Sequence, residues 1–188
     1  MNTRKVVLDK NPTTQSTPVI NEEQIFSNLP DLYQAYATKV FHYHYSRVQN
    51  LHEAEDLTSQ TFMAAWEKWH TLRDPDKAVG WLFTIARNKG IDHIRKQQHL
   101  QSEELDDELI QSTNTNDPQS SAETWEYLMD LRQHITKLSE KEQELIRLRL
   151  VGELPFKQVS QVMHEPETRI KKRYYRLLER LRAQMEQE

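Results

Sequence analysis

The sequence predicts an all-α protein: two small helical domains joined by a flexible acidic linker, the C-terminal one a helix-turn-helix. Three observations carry this. Apolar residues recur three and four apart along two long stretches, and no alternating, strand-like run stands out. An acidic, then Ser/Thr/Asn-rich segment containing Pro118 divides the two stretches. Each stretch also contains a helix with a densely basic face. The 188 residues are 36% hydrophobic and 29% charged with only three glycines, which suits thin helical cores under a large solvated surface.

Residues 1–21 are polar, carry two prolines and read as a disordered tail. They lack the long apolar core of a signal peptide. A first helix follows from Glu22 to about Arg47, with Leu29, Leu32, Tyr33, Tyr36, Val40 and Phe41 at helical spacing. The second runs from about His52 to Trp69. It places Ala54, Leu57, Thr61 and Ala65 on one side and Phe62, Trp66 and Trp69 beside them, with both tryptophans expected in the core. A loop broken by Asp74-Pro75 comes next. The third helix, Trp81 to about Gln98, has an apolar face (Leu82, Ile85, Ala86, Ile94) and a basic, amide-bearing face (Arg87, Asn88, Lys89, Arg95, Lys96). These elements make a first domain over 22–98.

Residues 99–121 form the linker, with room for a short helix near Asp106–Ile110. The second domain, 122–188, opens with a helix carrying Trp125, Leu128, Leu131, Ile135 and Leu138. Ser139 and Glu142 form a capping box for a helix running to about Val151, which Gly152 ends. Pro155 starts a short helix over Phe156–Met163. After the turn His164-Glu165-Pro166, a last helix runs to about Gln184. Short helix, tight turn and long basic helix give the order of a helix-turn-helix.

Charge is segregated. The net charge is −4, yet Arg169–Arg182 holds seven Lys/Arg and one acid, whereas Gln101–Asp117 holds six acids and no Lys or Arg. A basic helix braced by a short one suits the major groove: Arg for guanine, Lys for phosphate, with Ile170, Leu177, Leu178 and Leu181 facing its own domain. In the first domain, Asn88 has both a donor and an acceptor for a base edge, and Trp81 and Phe83 suit stacking with an unstacked base. The competing reading of both helices is a solvated amphipathic surface. The acidic total predicts weak DNA binding by the free protein, because affinity rests largely on phosphate neutralisation.

Several classes are excluded. With no cysteine there is no disulfide and no Cys-ligated zinc. The eight histidines are scattered, His42 and His44 do not share a helix face, and no H-E-x-x-H occurs, so no metal site is expected. A phosphate-cradling Gly-rich loop is absent, no carboxylates form an acid/base arrangement, and no apolar run approaches the roughly 18 residues of a membrane span. The expectation is a soluble cytoplasmic protein that is not an enzyme and needs no cofactor.

Together, these segments resemble a bacterial RNA polymerase sigma factor of the extracytoplasmic-function (ECF) type, over about residues 24–98 and 122–184. Ala54-Glu55-Asp56-Leu57, Thr61-Phe62 and Trp66 resemble the family's A-E-D-L-x-Q-E-x-F-x-x-x-W helix, which docks on the polymerase β′ clamp helices. Here Ser59 and Gln60 replace the usual Gln and Glu, removing one negative charge. The resemblance implies polymerase contact through Asp56, Leu57, Ser59, Gln60 and Met63. Trp81-Leu82, Ile85-Ala86-Arg87-Asn88 and Ile91-Asp92-His93-Ile94-Arg95 resemble the segment that recognises and melts the −10 element. This implies −10 contact by Arg73, Lys77, Arg87, Asn88, Asp92, Arg95 and Lys96, with Asn88 and the Arg73–Lys77 loop holding a flipped base. Extruding a base costs a few kcal/mol that a shaped pocket returns.

Leu138-Ser139, Gly152-Glu153-Leu154-Pro155-Phe156, Val159-Ser160, Met163, Ile170-Lys171 and Arg173 resemble the helix-turn-helix that reads the −35 element. That implies −35 contact by Thr168, Arg169, Lys171, Lys172, Arg173 and Arg176. Four positions depart from the pattern: Ser160 for a usual Ala, His164 for a usual turn Gly, and Thr168-Arg169 for a usual Gly-Thr. A non-Gly residue at that turn is strained if its φ is positive. The implied partners are core RNA polymerase (β′ clamp helices and β flap), promoter DNA and an anti-sigma factor, with no membrane. Catalysis and its Mg²⁺ belong to the polymerase. At this level two other readings stay open: a stand-alone helix-turn-helix regulator, and an interaction protein that uses helical faces without DNA.

Overall fold

Capping chemistry sets where the helices begin. The computed structural model describes residues 28–103 and 134–185. Asn28 accepts the Asp31 backbone N–H at 2.9 Å and starts α1, Leu29–Val48, with Pro30 in its first turn. Gln49 ends it in the left-handed region at φ 56°. Asn50 then caps α2, Leu51–Lys68, by accepting from Glu53 at 3.2 Å. The two helices therefore fold back on each other across two residues. Two 3₁₀ turns follow, Trp69–Thr71 and Pro75–Lys77, the second capped by Asp74. It feeds directly into α3, Ala78–Glu103, which starts three residues before Trp81 and continues into the stretch expected to be linker.

In the C-terminal module, Glu142 accepts from the Ser139 backbone N–H at 3.1 Å and from its hydroxyl at 2.7 Å, opening α4, Glu140–Ile146. This helix runs on as a π turn over Arg147–Val151, closed by the Gly152 N–H to the Arg147 carbonyl at 2.8 Å. Then come α5, Phe156–Met163, and α6, Glu167–Met185. His164, between them, sits at φ 53°, ψ 39°, the left-handed conformation that a glycine adopts more cheaply. Among the described residues all regular structure is helical. The terminal tail, the proposed 106–110 helix and the start of the second module, including Trp125, Leu128 and Leu131, lie outside them.

One core cluster runs through both modules. Leu32, Tyr36, Val40 and Tyr43 of α1, with Leu82, Phe83 and Ala86 of α3, pack with Leu145, Leu148, Leu154, Val159 and Val162 of the C-terminal module. A smaller cluster joins Leu138 and Ile146 to Leu177 and Leu181. Three expectations need correction. Phe83, expected to stack on a base, is fully buried against Tyr36 and Tyr43. Leu178 is exposed, and Tyr174 completes the buried stripe of α6 with Ile170, Leu177 and Leu181. Trp66 is 70% exposed, while Trp69 is half-buried and meets Trp81 edge-on at 6.0 Å. The inward line of α2 runs through Leu57, Thr61 and Ala65, and each step of four residues turns about 40° further round a helix of 3.6 residues per turn. That drift leaves Phe62 inside and carries Trp66 out.

Candidate nucleic-acid interface

The first candidate surface lies where the 3₁₀ turns enter α3. A cavity of about 340 Å³ is lined there by Arg73, Asp74, Lys77, Gly80, Trp81 and Thr84, among others. Lys77 pairs with Asp74 at 2.8 Å, and this bond holds the Asp74 carboxyl below the usual carboxylate range. The Thr84 hydroxyl is tied back to the Gly80 carbonyl at 2.8 Å. Arg73 and Lys77 are exposed on the loop. Along α3, Thr84, Asn88 and Asp92 follow at spacings of four, and Arg95 and Lys96 stand three and four residues beyond Asp92, which is one helix face. Asn88, Asp92, Arg95 and Lys96 are all exposed on it. Arg87, expected on the same face, is turned away and half-buried, with its Nε 3.7 Å from Glu144 Oε1 of the C-terminal module. Residues 87 and 88 are about 100° apart on a helix, so neighbours in the motif divide between two surfaces.

The second surface is on α6. Thr168, Arg169, Lys171, Lys172 and Arg176 are exposed, and Arg173 is half-buried. Arg169, Lys172, Arg173, Arg176 and Arg180, with Glu142, line an open basic cleft of about 340 Å³. Three of the cations are already paired, Arg180 with Glu142 at 2.7 Å. Arg173 grips Glu165 through both terminal nitrogens at 3.1 and 2.8 Å, and Lys171 meets Glu167 at 2.6 Å. The Arg173 fork spans the turn and pulls the Glu165 carboxyl below its ordinary range, so it fixes the angle between α5 and α6. Arg169, Lys172 and Arg176 project into the open cleft, where fixed guanidinium forks suit guanine and phosphate.

A third surface follows the outer side of α2. Asp56, Ser59, Gln60 and Met63 are exposed, Met63 at 65%, and Trp66 lies beside them. Leu57 is buried at 2% and supports this helix from beneath rather than facing out. Sequence reasoning missed Trp66 as a surface residue. The helical drift that exposes it was the available signal. Solvent-facing Met and Trp together are unusual outside contact surfaces.

Among the described residues there is no group of three His, Asp or Glu placed to hold a metal ion, and no helix long and apolar enough to cross a membrane.

Comparison with known proteins shows the family of the chain. The family description Sigma-70 region 2 matches residues 32–100, and Sigma-70, region 4 matches 135–183. The ECF RNA polymerase sigma factor SigM of Bacillus subtilis is 34% identical over 155 residues, covering 82% of this chain and 93% of SigM. SigW of the same organism is 28% identical, covering 87% and 90%. The fold is similar to that of the sigma factor RpoE of Bartonella quintana, solved with the anti-sigma factor NepR. There the TM-score is 0.59 at 21% identity, covering 84% of this chain and 96% of that one.

Proposed function

This chain belongs to the ECF sigma factors of bacterial RNA polymerase, and on that premise we propose how its three surfaces divide the work. The chain is a promoter-specific transcription initiation factor and is not itself an enzyme. A stand-alone regulator is not favoured.

In the proposed division, residues 22–98 bind the polymerase and the −10 element, 99–121 link, and 122–188 bind the −35 element. The exposed strip Asp56, Ser59, Gln60, Met63 and Trp66 docks on the polymerase, with Met63 and Trp66 as apolar anchors. Arg169, Lys172 and Arg176 enter the −35 major groove, while Arg173 positions the helix through Glu165. Asn88, Asp92, Arg95 and Lys96 track the melted −10 strand, and the cavity between Arg73 and Thr84 takes the extruded base. One observation carries the assignment: the exposed Asn88 face and the cavity lie on consecutive turns of a single helix, so one strand can run along the first while a base enters the second. The protein works in the cytoplasm beside the polymerase. An anti-sigma partner, of the class bound to the RpoE neighbour, is part of the same proposal.

The test is run-off transcription from a pool of promoter fragments with purified core polymerase, with and without this chain. Initiation that depends on the chain, from a subset sharing two spaced motifs, is expected. Sequence-specific duplex binding by the chain alone, with no initiation, overturns the proposal.

A further inference from the structure

We propose that Glu53 is a positioning residue for promoter opening: standing on the polymerase-docking helix, it ties down the far end of α3 and so sets where the −10 face is held. This rests on the promoter-binding reading above. Glu53 lies in the first turn of α2, where the helix dipole favours a carboxylate and where Asn50 accepts its backbone N–H. It stands one turn before Asp56, on the docking strip, and before Leu57, which is buried. Both of its oxygens are spent on α3. Oε2 lies 2.9 Å from His93 Nε2, and Oε1 accepts from the Gln97 side-chain amide at 3.0 Å. A carboxylate only accepts, so His93 Nε2 carries the hydrogen in this bond. One carboxylate thus grips two successive turns of another helix, 40 and 44 residues further along the chain.

The grip matters because α3 outruns the core. Its buried apolar residues are Ala78, Val79, Leu82, Phe83 and Ala86, and its last buried residue among those described is Gly90. There the Arg47 side chain of α1 crosses so closely that an added Cβ would stand 2.9 Å from its Cδ. From Ile91 to His99 no residue is buried, and Ile91 and Ile94 are only half-buried. Yet Asp92, Arg95 and Lys96 of the −10 face all lie in this part, Lys96 about 9 Å along the helix from Gly90. His93 and Gln97 bracket Arg95 and Lys96 in sequence, so the tether acts where the cations are. The His93 and Glu53 side chains are 25% and 30% exposed, so water screens their charge-assisted bond less than it would a surface pair.

The result is a fixed relation between two surfaces. Polymerase meets the outer side of α2, the melted strand meets α3, and Glu53 joins the two helices. A binding face must be held to within about 0.5 Å, which a helix end free to bend does not provide. Simple electrostatics makes the opposite demand. A carboxylate near a phosphate-binding face repels DNA, and removing it should help opening. The sign of the effect therefore separates positioning from charge.

The test uses the full chain with core polymerase, on a promoter selected in the run-off assay. Wild type, Glu53→Ala, His93→Ala/Gln97→Ala and the triple variant are compared. Two quantities are read: the Kd for polymerase, by fluorescence anisotropy, and the opening rate of the bound holoenzyme, by 2-aminopurine at the −10 site. Glu53→Ala is expected to slow opening about tenfold, the size of a coupling between contacting residues, while the polymerase Kd stays within about twofold. His93→Ala/Gln97→Ala is expected to lose as much, and the triple variant no more than either, because all three remove one tether. The His93→Ala/Gln97→Ala variant leaves α2 untouched, so it tests the tether even where Glu53→Ala disturbs the start of that helix.

Unchanged or faster opening by both Glu53→Ala and His93→Ala/Gln97→Ala overturns the proposal. So do losses that multiply in the triple variant, because His93 and Gln97 would then act on DNA by themselves. A loss confined to the polymerase Kd also overturns it and places Glu53 in the docking strip. A wild-type chain that opens no promoter overturns the promoter reading itself, whereas a wild type that opens no faster than the variants overturns the tether alone.

Discussion

Lowering the pH tests the core of the N-terminal module at one residue, His44. It is fully buried on α1, and its Nε2 lies 3.0 Å from Thr61 Oγ1. Thr61 gives its own hydrogen to the Leu57 carbonyl at 2.7 Å, so Nε2 carries the hydrogen toward Thr61, and Nδ1 is left bare and without a partner. Burial first, then the Arg47 and His93 charges, pushes the His44 pKa from 6.5 down to about 3. In the unfolded chain the imidazole takes a proton below about pH 6.5; in the folded chain it does so only near pH 3. The stability this residue contributes is therefore complete above pH 6.5 and is lost as pH falls toward 3. At about pH 5 the difference is roughly 1.5 pH units, or about 2 kcal/mol. The assay is urea unfolding followed by circular dichroism at about pH 7, 6 and 5, on the wild type and on His44→Gln, which does not titrate. Between the ends of that series the wild type is expected to lose about 2 kcal/mol more than the variant. Parallel losses would refute the reasoning.

Three further outcomes follow from the surfaces. Asn88→Ala should lower promoter opening, read by 2-aminopurine fluorescence at the −10 site, by about 10- to 100-fold, the worth of a bidentate base contact, and leave polymerase binding intact. Trp66→Ala should weaken polymerase binding by at least about 2 kcal/mol with no change in thermal unfolding, whereas Leu57→Ala, beneath the same surface, should cost about 2–5 kcal/mol of stability. Arg176→Ala should reduce −35 binding in the holoenzyme and lower the salt dependence of that binding by about one unit of slope. Unchanged slope would remove Arg176 from the phosphate contacts.

Local signals were legible in the sequence, and non-local ones were not. The Ser139–Glu142 cap lies within one turn of helix, and it starts α4 where the S-x-x-E pattern put it. A non-glycine at the His164 turn is strained if its φ is positive, and its φ is 53°. By contrast, α3 starts three residues before Trp81, because Asp74-Pro75, a loop breaker in sequence, caps a 3₁₀ turn that leads into the helix. Trp66 belongs to the core by its spacing and lies outside it in the structure, because apolar spacing fixes a stripe but not its edge, and only the position of α1 and α3 decides where the stripe ends. Arg87 and Asn88 adjoin in the motif and so read as one surface, yet the helix divides them. The burial of Glu144 is beyond reach of the sequence: its partners Arg47 and Tyr43 are 97 and 101 residues away, and Glu140-Lys141-Glu142-Gln143-Glu144 reads as an ordinary solvated helix start.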